Sequence, residues 1–87
     1  MGWSATNDAC RTMEAIEDKC LKLTGTANAF VTRNRKFVIE IGDEQEDGSI
    51  RGDIIDYFTG TKKGDLHIGP DGDILEGTYI KRLMKNA

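Results

Sequence analysis

Ala9, Met13, Ile16, Cys20 and Leu23 recur at alternating steps of four and three, the period of a helix with one buried face. The pattern predicts one amphipathic helix from about Ser4 to Thr24. Ser4, Thr6 and Asn7 are acceptable N-caps, and Asp8 suits the positive end of the helix dipole. Lys19 and Lys22 fall in the last turns, and Gly25 can supply the left-handed residue that stops the helix. Beyond Gly25 the period changes to two. Phe30 and Thr32 lead into Arg33-Asn34-Arg35-Lys36, where Asn34 tolerates a positive φ and marks a tight turn. Phe37, Ile39 and Ile41 alternate with Val38 and Glu40 as a strand with one face on a core. Asp47-Gly48 is a turn dipeptide, and Ile50 to Phe58 resumes as a strand. Gly60 and Gly64 bracket a loop carrying Lys62 and Lys63, and Leu66 and Ile68 precede the turn signal Gly69-Pro70-Asp71-Gly72. Ile74 and Leu75 follow as a short strand. In the tail, Tyr79, Leu83 and Met84 suit one face of a helical turn, while Tyr79-Ile80 alone would extend the strand.

These elements predict an α+β fold, with one N-terminal amphipathic helix packed on an antiparallel meander of four to five strands. At 87 residues the expectation is a single domain over 1–87 with one modest core. Hydrophobic content of 38% and charged content of 31% place the chain among globular proteins. A net charge of −3 argues against a surface dominated by phosphate contacts. No apolar run approaches the roughly 20 residues that span a bilayer, and the start lacks the pattern of a secretory signal. Gly2 through Thr6 formally allow a myristoylation pattern, but no polybasic second signal follows nearby. A cytoplasmic location is the expectation. Cys10 and Cys20, placed on one helix, would stand roughly 15 Å apart at about 1.5 Å per residue. That is beyond disulfide reach, so both are expected as buried reduced thiols.

Negative charge is concentrated between Glu40 and Asp56, where Glu40, Asp43, Glu44, Glu46, Asp47, Asp53 and Asp56 face one base, Arg51. Read as a calcium loop from Asp43, the run supplies Asp43, Gln45, Asp47 and Gly48 at the first four diagnostic positions. Ile50 suits the apolar eighth position, but Ile54 stands where the bidentate Glu is required, and the flanks read as strands. No metal site is expected there. Asp71-Gly72-Asp73 reads as a turn built from local hydrogen bonds and a positive φ. Arg51-Gly52-Asp53 spells an adhesion tripeptide inside a strand, where Gly52 better marks a bulge or a place where the helix approaches the sheet closely.

Enzyme chemistry finds little support. His67 is the single histidine and alternates between Leu66 and Ile68, no zinc-ligand cluster occurs, and Gly60-Thr61-Lys62 lacks phosphate-loop spacing. No cofactor is expected. Charge complementarity favours a protein–protein interaction module that presents Asp43, Glu44, Glu46 and Asp47 to a basic partner. The alternative is a nucleic-acid surface from Arg33, Arg35 and Lys36 with Lys62 and Lys63, joined by Lys81, Arg82 and Lys85, with Phe30, Tyr57 and Tyr79 for stacking. A homo-oligomeric structural protein, through Trp3 or an unpaired edge strand, is the third class. Monomer and homodimer both fit. An N-terminal helix with the hairpin EIGxEQxDGSI, mainly Phe37 to Gly52, resembles small uncharacterised proteins of bacteria and their phages. The resemblance implies an accessory protein that acts by binding, and transfers no site residue.

Overall fold

The computed structural model describes residues 8–23 and 28–85. The chain runs α1 (Asp8–Asp18), β1 (Cys20–Lys22), β2 (Ala29–Thr32), β3 (Phe37–Glu44), β4 (Ile50–Asp56), β5 (Lys62–Ile68), β6 (Ile74–Glu76) and α2 (Thr78–Lys85). All the strands join one antiparallel sheet in sequence order, so every connection is a nearest-neighbour hairpin. The expected α+β class and meander hold. The sheet has six strands and there are two helices, against the expected four to five strands and one helix.

The extra strand comes from the region assigned to the end of the helix. α1 stops at Asp18, a backbone bond from Lys19 N to Ile16 O (3.0 Å) tightens its last turn, and Cys20–Lys22 then pairs with β2. Cys20 lies opposite Thr32 and Lys22 opposite Phe30. Cys20 fits the helical period and also alternates with Leu21 as a strand residue, and the ladder with β2 decides between the two. The caps proposed at Ser4, Thr6 and Asn7, and the stop at Gly25, lie outside the described residues. Both cysteines are buried and form no disulfide, as expected, although they do not share a helix.

Both helices cover one face of the sheet. Ala9, Cys10, Met13 and Ile16 of α1 and Ile80 of α2 pack with Phe30, Ile39, Ile41, Ile50, Ile54, Leu66 and Ile68 in one core cluster. The outward face carries a second row in strict register: Leu21 opposite Val31, Val31 opposite Val38, Val38 opposite Ile55. Ala29 and Val31 are buried yet stand outside the core cluster, in keeping with their place on this face.

Gly52 of β4 lies opposite Ile41, beside a bulge between Ile41 and Glu44. A Cβ at this position would overlap the Glu40 carbonyl oxygen. The close approach anticipated at Gly52 is therefore between adjacent strands, and no helix takes part.

Register fixes which turns are neighbours. Glu44, Ile50, Ile68 and Ile74 lie in one cross-strand row, which sets the β3–β4 turn beside the β5–β6 turn. At the opposite end, Tyr57 N donates to Lys36 O (2.9 Å), joining the β2–β3 and β4–β5 turns. α1 spans the distance between the two ends. The Thr12 hydroxyl donates to the Gly72 carbonyl (2.7 Å) at one, and Asp18 lines a cleft with Arg33 and Asn34 at the other.

Candidate functional site

The β3–β4 connection is a closed turn over Gln45–Ser49, built around the expected Asp47-Gly48 dipeptide. Asp43 and Glu44 are the last residues of β3. Gln45 N donates to Ser49 O (2.7 Å), Gly48 N donates to Gln45 O (2.9 Å), and Gly48 takes a φ of 88°. Asp47 Oδ1 accepts from both Ser49 N (2.9 Å) and Ser49 Oγ (2.6 Å). These bonds hold the Asp47 carboxyl below the usual aspartate range, so the group is ionised at neutral pH. Glu46 and Asp47 remain exposed. The neighbouring β5–β6 turn adds exposed Asp71 and Asp73, with Asp71 Oδ1 accepting from Asp73 N (3.1 Å). Two acidic turns from separate hairpins therefore share one end of the sheet. Ile54, the residue that failed the calcium pattern, is a core residue of β4. Among the described residues no group of three or more His, Cys, Asp or Glu is placed to hold a metal ion.

The opposite end is basic. Arg33, Asn34, Arg35 and Lys36 form the β2–β3 turn, all exposed. The positive φ expected at Asn34 belongs to Arg35 (57°). Asn34 uses its side chain instead: Oδ1 accepts from Thr32 Oγ1 (2.7 Å) and Lys36 N (3.1 Å), and Nδ2 donates to Tyr79 Oη (2.9 Å). Tyr79 in turn packs on Phe37 with ring centroids 4.3 Å apart. A cleft of about 610 Å³ opens here between the end of α1, this turn and α2, lined by Lys19, Arg33, Asn34, Tyr79, Arg82 and Leu83 together with Asp18 and Thr32. Arg33 and Arg82, from two of the basic clusters seen in the sequence, thus face one hollow. Lys81 lines a different groove, with Thr12 and Gly72.

Lys62 and Lys63 lie within β5, where a loop was expected. Lys62 Nζ bridges Asp53 (3.1 Å) and Asp65 (2.7 Å) on the outward face, so its charge is already matched. Lys63 lines a separate groove beside Asp56 and Asp65. The five-residue basic surface therefore assembles in part: Arg33, Arg35 and Lys36 share a turn, while Lys62 is held away by carboxylates. Arg51 and His67 face each other across β4 and β5, which places the adhesion-like tripeptide within a strand as expected. Burial raises the Cys20 thiol above its ordinary range, against the opposing pull of Arg33, so it has the character of an inert core thiol.

Two features escaped sequence reasoning. Phe58, assigned to the end of a strand, sits in the β4–β5 turn at 80% exposure, with Tyr57 edge-on to it at 5.2 Å. The Phe58-Thr59-Gly60 run before Thr61 was a usable turn signal. Gly60 indeed takes a φ of 73°, and Asp56 Oδ1 caps the turn by accepting from Phe58 N and Thr59 N. Lys19 was read as a helix-end charge, and only the fold carries it to Arg33 and Arg82. Compared with known proteins, the chain matches no family model, no curated protein and no solved structure.

Proposed function

We propose that the chain is a small non-enzymatic protein–protein interaction module that offers the carboxylates of its β3–β4 turn to a basic surface on a protein partner. The supporting observation is the Asp47–Ser49 clasp, which fixes the tip so that Glu46 and Asp47 are presented with little ordering left to do on binding. Asp71 and Asp73 at the same end extend the field that steers encounter. As a cytoplasmic accessory protein of a bacterium or phage, it would act on a nucleic-acid-binding partner, its carboxylates standing where phosphates otherwise bind. The test replaces Asp43, Glu44 and Glu46 with Lys and Asp47 with Asn, which keeps the oxygen that Ser49 needs. Partner capture should fall steeply with the variant and with added salt. Unchanged partners and affinities would refute the reading.

A second reading, single-stranded nucleic acid at the basic end, is favoured by Phe58 and Tyr57 standing exposed near Arg35 and Lys36. In a low-salt anisotropy titration, Phe58→Ala and Arg35→Ala should each weaken oligonucleotide binding. No binding by the wild-type chain would remove this reading.

A further inference from the structure

We propose that the cleft at the basic end is a binding site for a phosphate monoester attached to a flat or apolar organic group. Lys19, Arg33 and Arg82 hold the phosphate, and Tyr79 and Leu83 take the attached group. The site lies at the far end of the sheet from the acidic turns and does not depend on the protein-binding reading.

The first warrant is how charge is distributed in this fold. Arg11 pairs with Asp8 (3.5 Å), and Lys62 pairs with Asp53 and Asp65. Among the described residues, Lys19, Arg33 and Arg82 form no ion pair, yet the α1–β1 link, the β2–β3 turn and α2 bring them to one hollow. Converging like charges repel, and a bound anion turns that repulsion into attraction. The guanidinium fork suits phosphate oxygens in bidentate fashion. Two arginines and a lysine also match a group carrying roughly −1.5 to −2 charge at neutral pH better than a singly charged carboxylate. Asp18 also lines the cleft, whose charged side chains together leave a surplus of positive charge for the anion.

The second warrant is that the polar groups are already set. Asn34 is fixed by Thr32, Lys36 N and Tyr79, and the Tyr79 hydroxyl, which accepts from Asn34, keeps its own proton to donate. Phe37 backs the Tyr79 ring, leaving a supported surface beside Leu83. The third is size. A cleft of about 610 Å³ is well beyond what inorganic phosphate fills and suits a nucleotide-sized molecule. The same chemistry is offered by a free nucleoside 5′-monophosphate and by the 5′-phosphate of a nucleic-acid strand.

The test is an amide NMR titration of the full chain with adenosine 5′-monophosphate and with adenosine. Two further arms use an oligonucleotide with a 5′-phosphate and the same strand with a 5′-hydroxyl. The monophosphate should shift the amides of Asn34, Tyr79 and Arg82, and adenosine should not. The Arg33→Ala, Arg82→Ala double variant, with its remaining spectrum unchanged, should bind about tenfold or more weakly. Tighter binding of the phosphorylated strand than of the mononucleotide assigns the site to strand ends, and the reverse order assigns it to free nucleotides. No localised shift at millimolar monophosphate, or equal binding by the double variant, would each overturn the proposal. Glu46→Lys and Asp73→Lys should bind adenosine 5′-monophosphate unchanged, which separates this result from the fate of the acidic turn.

Discussion

Asn34 and Asp47 sit in turns at opposite ends of the sheet, and each directs its side-chain oxygen to its own backbone two residues on. Such bonds are local, so turn chemistry at Asp47-Gly48 could be read directly from the sequence. The left-handed residue at the other turn could not. Asn34 is the better left-handed residue in isolation, but its amide is engaged by Tyr79, 45 positions away, and the positive φ passes to Arg35. Gly52 presents the same contrast between local and distant causes. Its lack of a side chain is required by the Glu40 carbonyl on the neighbouring strand. Gly52→Ala should therefore lower stability by about 1–3 kcal/mol in urea unfolding. Gly64→Ala, where a Cβ meets nothing within 4 Å, is the control and should change little. Equal midpoints for the two variants would show that the strands part at no cost.

Among the elements, those with a single consistent period were legible, and those at which two periods overlap were not. β3 and the later half of β5 follow the alternation of Ile39, Ile41, Leu66 and Ile68, and the Gly-Pro-Asp-Gly turn falls where expected. Cys20 satisfies helix and strand alike, so only pairing with Thr32 settles its state. Phe58 was carried into β4 by its apolar character, although a capped turn holds it in solvent. α2 was half seen: Tyr79, Leu83 and Met84 do face the core, but its anchor is the fully buried Ile80. Ile80→Ala should cost about 2–5 kcal/mol, whereas Leu75→Ala, at an exposed position of β6, should stay within about 0.5 kcal/mol. Matching thermal shifts for both would mean that α2 is not held by this residue.

At the scale of the whole molecule, the separation of charge is a product of topology. Antiparallel hairpins send alternate turns to opposite ends, so the acidic β3–β4 and β5–β6 turns gather at one and the Arg-rich β2–β3 turn lies at the other. The acidic run was visible in the sequence as a composition. Its partner turn was not, because the row from Glu44 through Ile50 and Ile68 to Ile74 exists only once the strands are paired. The cleft was less legible still, since Lys19, Arg33 and Arg82 are brought together from across the chain. The edge strands have three residues each. The part of β5 that β6 leaves unpaired carries Lys62, Lys63 and Asp65, charges that discourage pairing with another chain.

The bond from Thr12 to the Gly72 carbonyl joins residues 60 positions apart, while the sheet beside it is built wholly from adjacent hairpins. This sets an order of assembly. The hairpins can zip one after another with short loops to close, whereas the surface under α1 is complete only after β5 and the turn that follows it are in place. Docking of the first helix is then a late event, and the contact that records it should be absent at the folding barrier. Thr12→Ala should speed unfolding and leave the refolding rate nearly unchanged, as measured on the two arms of a chevron plot. A slowed refolding arm would instead place α1 in the nucleus. Elongation from the ribosome would release α1 well before the rest of its seat has been made.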